Sequence, residues 1–140
     1  MLRVLFLILY NIFIPVFLLF CLPGYLIKMK RRGGFGTGLS ERFGIYKRKK
    51  QEEPKGVLYV HAVSVGEVFI ALKFIREWCK NHTEPVVLAT STATGHQVVR
   101  DAALPNVRAL YSPLDVPGLS GRCLSRFEPR AVVLIEAEVW

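Results

Sequence analysis

The sequence is poor in cysteine, and its cysteines are not arranged for a shared role. Cys21, Cys79 and Cys123 lie far apart and form no C-x-x-C pair. An odd set of widely spaced cysteines gives neither a disulfide framework nor a zinc-binding pattern. No other cluster of metal-ligating residues stands out, so we expect no metal site and no cofactor. A reducing compartment suits this composition.

Motifs for nucleotides and nucleic acids are also missing. The chain has no G-x-G-x-x-G loop and no Walker-type loop, which argues against a nucleotide-binding protein of the common kinds. Its formal net charge is +8, yet it shows no nucleic-acid-binding motif. The positive charge predicts a polyanionic partner, and this partner is therefore expected to be something other than DNA or RNA.

The positive charge follows a long apolar segment. Residues 4–27 carry no charge, and residues 28–50 are rich in lysine and arginine with Glu41 as their only acid. About 20 apolar residues suffice for a helix to cross a bilayer core of ~30 Å. Positive charge beside such a segment favours membrane phospholipid as the partner. We predict a membrane anchor at 1–27 and a basic connector at 28–55, in which residues 31–46 are too polar and glycine-rich for a helix of any length.

Two further interpretations of the apolar segment stay open. A cleaved signal peptide is disfavoured, because the segment exceeds the usual apolar core of about 7–15 residues and no A-x-A-like site follows it.

The charges on the two flanks of the segment predict its orientation. The basic cluster at 28–32, compared with Arg3 alone on the other flank, places the following residues on the cytoplasmic side. Pro15 permits a kink, so a shallow anchor in the membrane interface is the alternative to a spanning helix.

Residues 56–140 alternate between strand and helix patterns. The predicted strands occupy 57–63, 86–90, 107–111 and 131–135, and the predicted helices lie near 67–81, 95–103 and 117–126. The first helix repeats apolar residues at i, i+3, i+4 and i+7, which gives it one buried face. Strands that alternate with helices indicate βαβ units. The predicted fold class is therefore α/β, with a Rossmann-like parallel-sheet domain.

Hydroxyl, glycine and acidic residues follow each predicted strand. The carboxyl ends of parallel strands meet at one edge of the sheet, where open α/β folds bind ligands and where helices begin with unpaired N–H groups. The pattern therefore predicts a crevice for an anionic or polyhydroxylated ligand. Its candidate residues are Ser64, Gly66, Glu67, Thr90, Ser91, Thr92, Thr94, Gly95, Ser112, Asp115, Glu136 and Glu138.

A structural interpretation competes with the functional one for these residues. Ser64 followed by Glu67 is the S-x-x-E pattern of a helix capping box, which from the residues alone is the commoner meaning. The threonine loop and Asp115 could equally be ordinary helix caps. Glu136 abuts an apolar strand, so its carboxyl must be paired, solvated in a cleft or protonated. His61, inside the first strand, is predicted to be a hydrogen-bonded core residue.

These motifs in this order resemble the N-terminal half of the 3-deoxy-D-manno-octulosonic acid (Kdo) transferases. The resemblance covers nearly the whole chain and rests on the apolar start, ERFG at 41–44, HAVSVGE at 61–67, T-x-T-x-T-G at 90–95, P-x-D at 113–115 and EAEVW at 136–140. Ala137 departs from the family, which usually has threonine there. The resemblance implies a GT-B glycosyltransferase that inverts the anomeric centre and transfers Kdo from CMP-Kdo to a lipid A precursor at the bacterial inner membrane, in lipopolysaccharide biosynthesis.

The resemblance also implies roles for residues. Glu41 is expected to be the general base that deprotonates the acceptor hydroxyl, and Arg42 to attract acceptor phosphates. The expected substrate-binding residues are Arg42, Ser64, Gly66, Glu67, Thr92, Thr94, Gly95, Glu136 and Glu138. Because the family binds its donor with a second, C-terminal domain, we expect these 140 residues to be an acceptor-side half that is inactive alone.

Two other function classes remain possible from the sequence. A membrane-tethered module that binds anionic lipid without catalysis would use the same anchor and connector. An enzyme needs Glu41, Glu67 and Glu136 to converge on one crevice, whereas a simple binder can scatter them. A soluble α/β nucleotide-binding protein behind a signal peptide is the third class, but it lacks a phosphate-binding loop.

Overall fold

The computed structural model describes residues 2–31, 37–47 and 50–135. A long helix, α1 (Leu2–Arg31), precedes the short helix α2 (Thr37–Arg42) and a 3-10 turn at Lys50–Glu52. The remaining elements alternate: β1 (Leu58–Ala62), α3 (Val65–Trp78), β2 (Val86–Thr90), α4 (Ala93–Asp101), β3 (Val107–Tyr111), α5 (Leu119–Phe127) and β4 (Ala131–Leu134). Every strand and helix predicted after residue 56 is present, with boundaries that differ by a few residues at most.

The strands form one parallel sheet in the order β3-β2-β1-β4. Val60 on the central strand β1 is paired in register with Leu88 of β2 and Val133 of β4. The chain moves outward from β1 to β3 and then returns to the other side of β1, which is the strand order of a doubly wound sheet. The α/β class with a parallel sheet is thereby confirmed.

The sheet is buried on both faces in its centre. One face packs against α3 and α4, where Val60, Val68, Ile75 and Leu88 are fully buried. The other face packs against α5, and Phe127 there has no exposed surface. Side chains alternate between the two faces of a strand, so a strand covered on both sides reads as a continuous apolar run. This is why strand β1 was visible in the sequence.

The predicted membrane anchor falls on α1, which continues to Arg31 and so extends beyond the predicted end of the anchor. Over the part of the chain that the structure describes, no helix is long and apolar enough to cross a membrane. The spanning anchor is therefore unconfirmed, and membrane attachment stays a prediction.

The basic connector contains a helix that its glycines argued against. Helix α2 covers six residues, and Gly38 within it packs directly on the ring of Tyr111, at the end of β3. A Cβ atom at position 38 would lie 2.9 Å from that ring. Tertiary contact with β3 thus compensates for the low helix propensity of glycine, and it requires a residue without a side chain.

Candidate functional site

The turn between β1 and α3 forms a complete helix capping box. The Glu67 N–H donates to Ser64 Oγ at 3.3 Å, and the Ser64 N–H donates to Glu67 Oε1 at 3.1 Å. The second carboxylate oxygen of Glu67 accepts the Val63 N–H at 2.7 Å. Burial works against the charge of Glu67, but the N–H groups of Val63 and Ser64 outweigh it and lower its pKa. Ser64 and Glu67 therefore stabilise the start of α3, and a role of theirs in binding substrate stays a prediction.

The turn between β2 and α4 is built in a similar way. Thr92 is the N-cap residue, and its Oγ1 accepts the Gly95 N–H at 3.1 Å. A Cβ atom on Gly95 would lie 3.2 Å from Val68 Cγ2, so this glycine lets the first turn of α4 pack closely against α3. Thr94 is exposed. Ser64, just before α3, and Gly66, in its first turn, are exposed as well. The two predicted loops thus lie side by side above β1 and β2.

Glu41 lies at a different place, on α2 beside the edge strand β3. Its Oε2 accepts the backbone N–H of Tyr111 at 3.0 Å. Burial raises the pKa of Glu41, and this is opposed by the Tyr111 hydrogen bond and by the positive charges of Arg108, Lys47 and Arg42. Glu41 is thus a half-buried carboxylate whose proton affinity is above normal.

Arg42 fixes α2 to the carboxyl ends of β2 and β3. Its guanidinium donates from Nη2 to the carbonyl of Ser91 at 2.6 Å and lies 4.7 Å from the centre of the Tyr111 ring. Its own carbonyl accepts the Leu114 N–H at 2.9 Å. Arg42 is only 6% exposed, so its charge is committed to contacts within the protein. A role in binding acceptor phosphates stays a prediction.

A groove of about 760 Å³ runs along the outer side of β3. Glu41 lies on its wall, together with Tyr111 and Arg108 from the strand and with His96 and Arg100 from α4. The rings of His96 and Tyr111 are stacked with their centres 4.0 Å apart. The lining includes no residue of the β1–α3 turn. Such a groove has the size of small-molecule sites in general.

The carboxylates predicted to converge do not all meet among the residues that the structure describes. Glu41 lines the groove at β3, and Glu67 lies above β1, with β2 between these strands. Both belong to the carboxyl edge of the same sheet. Glu136 and Glu138 lie outside the described residues, so their predicted place beside this edge stays a prediction.

Sequence reasoning missed a buried charge cluster next to the groove. The Glu53 carboxylate has no exposed surface and forms ion pairs with Arg108 on β3 and with Arg126 on α5, the latter at 3.0 Å. The guanidinium of Arg108 also lies 5.4 Å from the centre of the Phe127 ring. Glu53 stands in a polar stretch that looks like a solvated loop, and no local pattern distinguishes it from Glu52.

Several known proteins are similar to this chain. Residues 37–140 match the family model of the 3-deoxy-D-manno-octulosonic-acid transferases (kdotransferases). The chain is 30% identical over 124 residues to the 3-deoxy-D-manno-octulosonic acid transferase of Haemophilus influenzae, covering 88% of this chain and 28% of that protein. It is 29% identical over 101 residues to the probable mitochondrial enzyme of that name from Arabidopsis thaliana, covering 71% and 22%.

A third relative, from Bordetella pertussis, carries the same name and is 35% identical over 88 residues, covering 59% of this chain and 20% of that protein. No solved structure matches the chain significantly. The chain spans less than a third of the length of these curated relatives. The family model covers α2 and the whole described sheet, and on this match the chain belongs to the Kdo transferases, a family of glycosyltransferases.

Proposed function

We propose that the chain forms the acceptor-side part of a GT-B enzyme that transfers Kdo from CMP-Kdo to a lipid A precursor. The observation that carries the proposal is the environment of Glu41. Its carboxylate lies on the wall of a groove, and one of its oxygens is held by the Tyr111 N–H. In this proposal the acceptor hydroxyl approaches the other oxygen.

The chemistry asks for a carboxylate that is charged before the reaction and basic enough to take a proton. Glu41 removes the proton of the acceptor hydroxyl while the hydroxyl oxygen attacks the anomeric carbon of Kdo, and CMP leaves with the bonding electrons. Burial raises the pKa of Glu41 and makes it a stronger base. The Tyr111 hydrogen bond and the positive charges of Arg108, Lys47 and Arg42 oppose this shift and favour the ionised form.

The loops above β1 and β2 supply the polar surface around the sugars in this proposal. Thr94 and Ser64 are exposed at the starts of α4 and α3, where the helix dipoles favour anionic groups. Gly66 leaves the start of α3 accessible, and Gly95 lets the start of α4 pack closely against α3. Glu67, Thr92, Arg42, Glu136 and Glu138 complete the proposed set of substrate-binding residues. Donor binding by a further domain, inactivity of the chain alone and attachment to the bacterial inner membrane also belong to the proposal.

Replacing Glu41 by glutamine tests the proposal. In the full-length protein, E41Q should lower kcat for Kdo transfer by about 100-fold to 10,000-fold, the range for loss of a general base. Binding of the lipid A precursor should remain nearly unchanged, because glutamine keeps the shape and the Tyr111 contact. E77Q, on the exposed face of α3, is the matched control. Turnover retained in E41Q would show that another group is the base.

A membrane-tethered module that binds anionic lipid without catalysis is the second candidate. One observation favours it, namely that Glu67 does not reach the groove of Glu41. Such a module would bind the lipid A precursor equally well in the wild type and in E41Q, and neither protein would transfer Kdo when a competent donor domain is present.

A further inference from the structure

His61 connects two strands that are not neighbours in the sheet. It is the next-to-last residue of β1 and is paired in register with Ala89 of β2, which in turn pairs with Leu110 of β3. Ser112 follows two residues later on the same face as Leu110. His61 Nδ1 lies 3.1 Å from Ser112 Oγ. The imidazole spans β2 because the side chain of Ala89 is small.

Ser112 holds the His61 ring in one orientation. Ser112 is only 5% exposed, and its N–H donates to the carbonyl of Thr90 at 2.9 Å. A buried hydroxyl on a fixed backbone is a well-placed hydrogen-bond partner. The other ring nitrogen of His61, Nε2, has no hydrogen bond to any residue that the structure describes. The ring is half-buried at the edge of the predicted crevice.

The surroundings of His61 favour the uncharged form of its imidazole. Burial lowers the pKa of His61, and the opposing charge of Glu67 on α3 does not overcome this effect. A neutral imidazole has one donor and one acceptor nitrogen. Since Ser112 occupies Nδ1, a ligand can only use Nε2. A sugar hydroxyl suits either tautomer, because a hydroxyl both donates and accepts.

We propose that His61 is a substrate-contacting residue, which binds a hydroxyl group of the acceptor sugar through Nε2 and is positioned by Ser112. The inference rests on the proposed function and adds a residue to its site. His61 lies between the β1–α3 turn, which carries Glu67, and the end of β3, which holds Glu41. Glu67 is close enough to influence its charge, and Ser112 directly follows Tyr111, whose N–H holds Glu41. His61 does not line the groove itself, but through Ser112 it is one residue away from Tyr111, which lines the groove.

Three substitutions separate contact with substrate from a merely structural role. An asparagine amide at position 61 reaches the place of Nδ1 and can keep the bond to Ser112, whereas a glutamine amide reaches the place of Nε2. H61N should therefore lower kcat/KM for transfer about tenfold to 100-fold, as expected for one lost hydrogen bond in a partly buried site. H61Q should retain more activity than H61N, and S112A should fall between H61N and the wild type.

Wild-type kcat/KM in H61N, together with a loss in H61Q, would overturn the proposal and leave His61 a structural residue. The same conclusion follows if all three variants match the wild type. Thermal unfolding of each variant shows whether the fold is retained.

A second measurement needs no variant of His61. The imidazole nitrogen resonances of the protein are followed by NMR while lipid A precursor in detergent micelles is added. The His61 Nε2 resonance should shift and saturate, also in E41Q, whereas His82, stacked on Trp78 at 3.7 Å, should not move. An unmoved His61, with E41Q still blocking transfer, overturns this inference alone. A saturating His61 shift without any Kdo transfer by the full-length protein supports the contact and overturns the proposed function.

Discussion

The β1–α3 turn and the α2–β3 contact both carry a glutamate of the proposed site, but they are built by different means. Glu67 is bonded to residues three and four positions away, and both of its carboxylate oxygens are occupied. Glu41 is bonded to Tyr111, 70 positions away, through one oxygen. A turn that satisfies its own carboxylate is a stable local unit. Among the described residues no hydrogen bond to the other oxygen of Glu41 is found, and this is the oxygen that the proposed function uses as the base.

The largest expected effect is a difference in kcat between variants of Glu41 and of Glu67. E41Q should lower kcat by about 100-fold to 10,000-fold, whereas E67Q should change it by no more than about tenfold, because Glu67 shapes the turn and contributes at most one hydrogen bond to a ligand. Steady-state kinetics on the two full-length variants measure the difference. Equal losses in both would mean that the turn takes part in the chemistry as directly as α2 does.

The buried charge next to the groove should dominate the stability of the β3 edge. E53Q removes the buried carboxylate charge that pairs with Arg108 and Arg126, and breaking such a buried pair costs about 3–5 kcal/mol of unfolding free energy. The control is the exposed ion pair of Glu77, near the C-terminal end of α3, with Lys80. E77Q should change the free energy of unfolding by about 1 kcal/mol or less. Urea unfolding monitored by circular dichroism gives both values. A small effect of E53Q would show that water replaces the carboxylate.

Two glycines should respond to alanine with opposite signs. In G38A the new methyl group meets the Tyr111 ring at 2.9 Å, and that ring is held by its stacking on His96. We expect a loss of about 1–3 kcal/mol. In G66A the nearest atom is Ser64 Oγ at 3.9 Å, and alanine in the first turn of α3 should raise stability by up to about 1 kcal/mol. Thermal unfolding of both variants distinguishes packing from propensity.

The smallest effects concern the pH dependence of stability. The pKa of Glu67 is lowered on folding, so its contribution is present above the unfolded pKa and is lost as pH falls through the folded pKa. The pKa of Glu41 is raised, so the folded state binds its proton more tightly, and that contribution is lost as pH rises through the folded pKa.

E67Q should therefore lower the free energy of unfolding more at pH 7 than at pH 3. E41Q should change it in the opposite sense, so that the variant is more favourable relative to the wild type at pH 7 than at pH 3. Unfolding free energies at both pH values check these signs. A destabilised E41Q at pH 7 would show that the Tyr111 contact is worth more than the burial of the charge.

Prediction from the sequence succeeded where the interactions are local. The capping box of Ser64 and Glu67 and the buried face of α3 depend on residues within one or two helical turns of each other. It failed at α2, because the contact of Gly38 with Tyr111 is not encoded in the flanking residues. Glu53 was missed for the same reason, since its partners on β3 and α5 are far away in the chain.

The sequence by itself determined the order of strands and helices, the N-caps of α3 and α4 and, through its motifs, the family. These follow from side-chain periodicity and from backbone groups that must be paired within a few residues. Only the tertiary structure decided that Glu41 is half-buried on Tyr111, that Arg42 is committed to Ser91 and that His61 reaches Ser112 across β2. Such contacts depend on the register of separate strands, which brings together groups that are distant along the chain and buries Glu41 and His61 enough to shift their pKa values.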